Sequence, residues 1–308
     1  MTRAQATSLS DLRVARAETR RNDACPVCAA TAIRERPERL RDTDEIRVRQ
    51  CDDCTHVFLD SFDHIGNAYF ERGEFMMDKP FINSVDDRLR HYAGETAERA
   101  SRIGPLVVNK RVLDFGCGTG ALMEHLAPLA KSIEGLEPTQ PFRERLQSRS
   151  LRVYSSIEEL RGQYDVVLMF HVLEHLPDPI ASLRALSNHL AFDGLIYIEV
   201  PNVNDALISL YEIDACRRFL FFKDHLQYFT RTSLAKSVRL ANLSLSEITG
   251  HNRFGLANHL YWLARGKPNG HKVWSFLDDD ALSNQYKRLL AAADVSDSLI
   301  AQVTLTPR

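Results

Sequence analysis

One stretch constrains the fold of this chain more than any other: Val112-Leu113-Asp114-Phe115-Gly116-Cys117-Gly118-Thr119-Gly120, running on into Ala121-Leu122-Met123-Glu124-His125-Leu126. An apolar strand enters a glycine-rich turn and leaves it as a helix, and glycines there allow a tight turn and close approach of the backbone to a ligand. From residue 106 onward strand-like and helix-like segments alternate, the pattern of a parallel sheet with crossover helices. Strands are expected at 111–115, 132–136, 164–170 and 195–200, with a short one at 152–154. Helices are expected at about 119–130, 140–149, 156–161 and 178–191. Pro179 lies just inside the last of these, where its missing N–H does no harm, and Asp178 is a suitable N-cap. After Pro201 the rhythm breaks into an insertion, 202–229. A helix at 231–241, strands at 244–249 and 260–265 and a helix around 279–293 are expected beyond it.

The chain is long enough for about two domains. Its 44% hydrophobic and 26% charged content supports a buried core and excludes disordered and collagen-like classes. No apolar run approaches the roughly 18 residues of a membrane span. Residues 1–24 read as a polar tail: Arg13, Arg16, Arg20 and Arg21 are interrupted by Asp11, Glu18 and Asp23, and the apolar centre of a secretory signal is missing. A soluble, cytoplasmic protein is the expectation. With 39 basic and 41 acidic side chains the net charge is −2, too little positive field to hold a phosphate backbone, so nucleic acid is not the expected partner.

Of six cysteines, four form the pairs Cys25-Pro26-Val27-Cys28 and Cys51-Asp52-Asp53-Cys54, while Cys117 and Cys216 stand alone. Each CxxC makes a knuckle that directs two thiolates at one point, and two knuckles complete a tetrahedron around zinc. Four sulfurs close the site, so the expected zinc is structural and His56 is incidental to it. This ribbon, 25–62, is too small to bury a core of its own. Residues 63–105 are expected to form a helical linker or lid, with Tyr69, Phe70, Phe75, Phe81 and Tyr92 available to cover a neighbouring site and a helix at 85–103.

The glycine loop also fits a relaxed dinucleotide fingerprint, Gly116-x-Gly118-x-x-Ala121. A dinucleotide sets its pyrophosphate on the helix N-terminus, where Asp114 would add repulsion. S-adenosylmethionine has no phosphate and carries a sulfonium and an ammonium, which a carboxylate favours. Glu137, at the tip of the second strand, stands where a carboxylate can accept both ribose hydroxyls. On these residues the chain resembles the class I S-adenosylmethionine-dependent methyltransferases over about 106–250. The resemblance implies an α/β fold, a seven-stranded, mostly parallel, doubly wound sheet within 106–266, with the zinc ribbon before it and a helical extension, 267–308, after it. It assigns Asp114, Gly116, Cys117, Gly118 and Gly120 to the first cofactor motif and Glu137 to the ribose. Tyr164 to Leu176 looks like the family's fourth strand and following loop, and Gly194 to Pro201 like its fifth strand. By the same resemblance Phe170 and His171 lie near the cofactor and Ser156 and Ile157 near the adenine, although the usual acidic residue of that loop is missing.

A ribbon ahead of this domain is similar to the zinc-binding methyltransferases of bacterial sugar pathways, including nucleotide-sugar C-methyltransferases. That implies a small-molecule acceptor: a sugar, a nucleotide sugar or a glycan-related metabolite. The segment Phe221-Phe222-Lys223-Asp224-His225 resembles their Tyr-x-Glu-His set, with His225 and Asp224 matching and Phe222 standing where they have tyrosine. Without that phenol a ketone-enolising step lacks a proton carrier, which favours O- or N-methylation over C-methylation. A hydroxyl acceptor must lose its proton, and histidine is the natural base near neutral pH. The candidates are His225, oriented by Asp224, and His171 and His175, all in loops that follow sheet strands. Two other readings are an RNA methyltransferase using the ribbon as adaptor and a non-catalytic cofactor-binding scaffold. Against the first, Arg34, Arg36, Arg39 and Arg41 are interleaved with Glu35, Glu38 and Asp42. Against the second stands the complete cofactor loop.

Overall fold

The computed structural model describes residues 22–65, 67–73 and 84–307. The expected polar tail as far as residue 21, and Phe75 and Phe81 of the expected lid, lie outside the described residues. The cysteine-rich segment forms three short antiparallel strands, β1 (Ile33–Glu35), β2 (Val48–Cys51) and β3 (Val57–Leu59). Helices α1 (Asn67–Glu71) and α2 (Val85–Val107) follow. Ser84 caps α2 by accepting from the Asp87 amide, and Asp86 and Asp87 place negative charge in its first turn, where the helix dipole favours it.

The alternation then runs β4 (Arg111–Phe115), α3 (Ala121–Leu126), β5 (Ser132–Leu136), α4 (Gln140–Ser148), β6 (Arg152–Tyr154), β7 (Tyr164–Phe170), α5 (Pro179–Ser187) and β8 (Leu190–Pro201). Asp178 caps α5, accepting from the Ala181 amide at 2.8 Å, and Pro179 opens it. These five strands pair in parallel. Leu113, Phe115, Val167, Met169, Ile196 and Ile198 enter one apolar cluster, and Val112, Val166, Leu168 and Tyr197 enter another. Consecutive side chains therefore bury on opposite faces, which is why these strands read as continuous apolar runs.

The insertion supplies α6 (Ala206–Ser209), α7 (Asp214–Leu220) and β9 (Gln227–Tyr228). β9 pairs with β3, Val57 opposite Tyr228 and Phe58 opposite Gln227, so the small sheet has the order β1-β2-β3-β9. The His56 ring donates from Nε2 to the Gln227 side-chain oxygen at 2.7 Å. Burial holds that imidazole neutral, with its pKa down at about 4. His56 thus fastens the ribbon to the insertion.

The rest of the chain is α8 (Arg231–Leu240), β10 (Leu243–His251), α9 (Leu256–Arg265), α10 (Gly270–Val273), α11 (Asp280–Ala292) and β11 (Ser298–Leu305). Two expectations change here. The segment 260–265 is helical, not a strand: α9 buries Ala257, Asn258, His259 and Trp262 while Leu263 faces outward, and Gly266 ends it at φ 61°. The segment 267–308 is not wholly helical, because its end is a sheet strand. β11 runs antiparallel between β8 and β10, burying Leu299, Ala301 and Val303 with one cluster and Ile300 with the other. The large sheet is then seven-stranded, β10-β11-β8-β7-β4-β5-β6, and it reaches residue 305. Its strand order reverses between β4 and β7, the switch point outside whose strand ends open α/β sheets bind ligands. Among the described residues no helix is long and apolar enough to cross a membrane.

Candidate active site

The loop after β4 holds Gly116, Gly118 and Gly120 at φ of 75°, 53° and 77°. A Cβ at Gly116 would come within 2.5 Å of the Val172 side chain and one at Gly120 within 2.0 Å of Leu146, whereas nothing lies within 4 Å of the Gly118 position. Open space therefore stands over the middle glycine. Asp114 lies inside β4 between Leu113 and Phe115, and Glu137 follows the tip of β5, both buried. Glu137 accepts from the Gly118 amide at 2.7 Å and from the Thr139 amide at 2.8 Å. Burial raises the pKa of Asp114 to about 7, Glu137 adding to the rise and Arg99 opposing it. Glu137 is also pushed up by burial. Two desolvated carboxylates beside an open backbone loop are short of positive charge. Cys117 is buried with its sulfur against Gly135, where a Cβ would sit 2.6 Å from it. The Glu137 amide donates to the Tyr154 carbonyl at 2.9 Å, so the turn that starts at Ser156 and Ile157 lies next along the same rim.

At the end of β7, the Arg99 guanidinium lies 4.9 Å from the centre of the Phe170 ring. His171, at φ 54°, sits between two carboxylates, Nδ1 3.2 Å from Glu174 and Nε2 3.2 Å from Glu199. Burial opposes its protonation, but Glu174 and Glu199 outweigh burial and raise its pKa. Glu199, inside β8, is fully buried and stays ionised against the cost of burial because His171, Arg99 and Arg102 surround it. An imidazole clamped this way between two carboxylates suits positioning better than proton uptake.

The next turn, Leu173–His175, faces the insertion. His175 Nδ1 donates to the Asp224 carbonyl at 2.7 Å, and its ring centre is 4.8 Å from that of His225. The His225 ring also rests 4.1 Å from Phe222, and its Nε2 is 4.0 Å from Glu174 Oε1. The Asp224 carboxylate accepts from the Tyr69 hydroxyl of α1 at 2.5 Å. His175, Asp224 and His225 are thus brought together, but the carboxylate facing His225 is Glu174, and Asp224 anchors α1. Sequence reasoning missed Glu174 and Glu199, and it offered Tyr69 as a lid residue without its bond to Asp224. A single acid inside the apolar run of β8 was the one available signal for Glu199.

Residues 87–248, more than half of the chain, match a family model described as a methyltransferase domain. The chain belongs to that methyltransferase family. The methyltransferase is 32% identical over 207 residues to a ubiquinone biosynthesis O-methyltransferase of Xanthomonas campestris pv. campestris (strain B100), spanning 62% of this chain and 82% of that one. It is 28% identical over 174 residues to the protein of that name from Acinetobacter baylyi, spanning 51% and 73%. A chain of the complex between the Haloferax volcanii Trm112 methyltransferase activator and a methyltransferase superposes with a TM-score of 0.50 at 14% identity, covering 72% of this chain and 93% of that one. That last likeness is one of fold alone. These relatives do not support the sugar-pathway resemblance. The enzyme is an S-adenosylmethionine-dependent methyltransferase.

The methyltransferase's four ribbon cysteines form two matching knuckles. The residue after each pair, Ala29 and Thr55, has a left-handed backbone at φ 59° and 61°. Its amide donates back to the first cysteine's carbonyl, at 2.9 and 3.0 Å. Cys25 and Cys54 sulfurs are 3.6 Å apart and those of Cys28 and Cys51 3.5 Å. Tetrahedral zinc with bonds of about 2.3 Å places its sulfurs about 3.8 Å apart. The donor set fits zinc. Among the described residues two further groups of ligand-type side chains occur, Glu174 with His175 and His225, and Glu95 with His171 and Glu199.

Proposed function

We propose that this methyltransferase transfers the methyl group of S-adenosylmethionine to a hydroxyl oxygen of a small molecule, and that its ribbon carries one structural zinc on Cys25, Cys28, Cys51 and Cys54. The observation that carries the acceptor assignment is the grouping of Glu174, His175 and His225 one turn beyond Phe170 and His171 at the end of β7. In this reading Asp114 faces the cationic cofactor across the loop of Gly116, Cys117, Gly118 and Gly120. Glu137 exchanges its bond to the Gly118 amide for the ribose hydroxyls. Ser156 and Ile157 border the adenine, and Phe170 and His171 the methionine end. Oxygen as the target is supported by the relatives, O-methyltransferases by name, and by Phe222, which offers no phenol for enolising a ketone.

The oxygen attacks the methyl carbon in line as the carbon–sulfur bond breaks, leaving a neutral thioether. The hydroxyl proton departs by way of the Glu174–His225 group. Holding oxygen and methyl in this geometry supplies much of the rate. A neutral amine needs no such proton exit, so a site furnished with one fits a hydroxyl better. Incubating the enzyme with S-adenosylmethionine and separate panels of phenols and catechols, sugar hydroxyls, amines and RNA tests the reading. A hydroxyl compound is expected to exchange one hydrogen for a methyl by mass. Methylation confined to amines, carbon or RNA overturns it.

A further inference from the structure

The turn that carries His225 lies between α7 and β9 and belongs to no helix or strand, yet its backbone is held from outside at successive residues. We propose that two side chains of the ribbon, Arg41 and Asp42, are positioning residues for methyl transfer: they hold Phe222 and Lys223 so that the Phe222 ring fixes the His225 imidazole toward the acceptor. The proposal rests on reading this pocket as the acceptor site.

Irregular segments are the more mobile parts of a fold, and a group that works from one needs support from its neighbours. The Phe219 carbonyl accepts from Arg41 Nη1 and the Phe221 carbonyl from the Arg41 amide, both at 3.0 Å. The Phe222 amide donates to the Tyr228 hydroxyl, which donates back to the Phe222 carbonyl, again at 3.0 Å each. The Lys223 amide donates to both oxygens of the Asp42 carboxylate, at 3.1 and 3.2 Å, and the Lys223 carbonyl accepts from His64 Nε2 at 2.7 Å. Hydrogen bonds to an ionised acceptor are the stronger kind, so Asp42 is a firm anchor.

Phe222 is where the ribbon meets the site. Its ring centre is 4.1 Å from the Arg41 guanidinium carbon and 4.1 Å from the centre of the His225 ring. A guanidinium is attracted to the negative face of an aromatic ring, so Arg41 holds the ring as well as the backbone before it. The His225 imidazole is then confined by Phe222 and by His175, whose ring centre is 4.8 Å away.

These contacts are not what attaches the ribbon. Strand β3 already pairs with β9, His56 already bonds Gln227, and Leu40, next to Arg41, is buried in one apolar cluster with Val57, Phe221 and Tyr228. Arg41 and Asp42 are themselves exposed. Two exposed side chains that a fastened ribbon does not need both engage the residues just before His225, and that placement points to the site. They take no part in the bond changes. Their effect is on where His225 stands when the acceptor's proton leaves.

The test reads His225 directly. The full chain, labelled with carbon-13 at histidine Cε1, gives ring signals in NMR, and that of His225 is identified by its loss in His225→Gln. Arg41→Met and Asp42→Asn are expected to move this signal, with Tm and S-adenosylmethionine affinity at wild-type values because both side chains are exposed. Added to Phe222→Leu, Arg41→Met should move it no further, since the ring it acts through is gone. On the hydroxyl compound found in the panel, kcat of the double variant Arg41→Met, Asp42→Asn should fall by about 10- to 100-fold, a misplacement of about 1 Å costing about 100-fold. An unmoved His225 signal in the double variant overturns the proposal. So does a shift accompanied by a fall in Tm, or an effect of Arg41→Met that persists without Phe222. A moved signal with no hydroxyl compound methylated by wild type leaves the clamp on His225 standing and sinks the acceptor reading. Hydroxyl methylation at full kcat in the double variant does the reverse.

Discussion

On one side of the crevice the cofactor loop and Glu137 come from a single strand–helix–strand unit, residues 111–137. On the other side Tyr69, Glu174, His175, Asp224 and His225 arrive from three distant segments, and the insertion among them is held by a strand of the ribbon sheet. The contiguous half takes its ligand-facing groups from its own strands and glycines, with Val172 and Leu146 packed against the loop and Tyr154 accepting from the Glu137 amide. The composite half depends on the ribbon and α1 being in place. The proposed cofactor site is local and the proposed acceptor site is assembled, so the two can be disturbed separately, and that separation is open to experiment.

The largest expected effect is on the composite half. Structural zinc in small modules contributes about 10–16 kcal/mol of apparent binding energy. Cys25, Cys51, Cys54 and Phe58 share one apolar cluster with Phe229 and Leu234. Cys51→Ala should therefore lose the ribbon zinc, lower Tm, and expose the amides of β9 to hydrogen exchange along with those of β3. Retained zinc, or β9 protection unchanged, would erase the dependence of the insertion on the ribbon.

Next in size is His225→Ala. A positioned group that handles a proton contributes about 10²- to 10⁴-fold in rate, so turnover at saturating cofactor should fall by that order while cofactor affinity stays near wild type. Joint loss of cofactor affinity and Tm would show the halves to be one unit. A fully active variant would move suspicion to His175.

Glu137→Ala should give the opposite profile. Hydrogen bonds to a charged group contribute roughly 1.5–3 kcal/mol, so S-adenosylmethionine binding should weaken by about 10- to 150-fold in calorimetry, with turnover recovered at high cofactor. Wild-type affinity in this variant would remove Glu137 from the cofactor half.

The same contrast explains what could be read in advance. Asp114 to Gly120, Glu137 and the central strands were legible because strand, turn and helix signals sit side by side, and strands buried on both faces spell long apolar runs. β11 escaped notice because it follows a helix, although Leu299, Ile300, Ala301 and Val303 carry a strand's burial pattern. The segment 260–265 was expected as a strand, and only tertiary packing reveals the helical face around Trp262. Asp224 and His225 were found as a pair by resemblance. Their actual partners, Tyr69 and Glu174, lie 155 and 51 positions away from them, and no local pattern ties such residues together.

The smallest effect bears most directly on the central claim, that a buried carboxylate selects a cationic cofactor. Asp114 has its pKa raised to about 7 in the cofactor-free fold. A bound sulfonium and ammonium favour the ionised form and lower that value, so binding must expel a proton below about pH 7. Affinity should then rise with pH, by up to about tenfold per unit, and level off above 7. The measurement is calorimetry of S-adenosylmethionine binding across pH 5.5–8, in pairs of buffers with different ionisation enthalpies. The account predicts proton release that fades above pH 7 and is lost in Asp114→Asn, which also binds more weakly at pH 8. Binding without proton release in wild type, with undiminished affinity in Asp114→Asn, would contradict it.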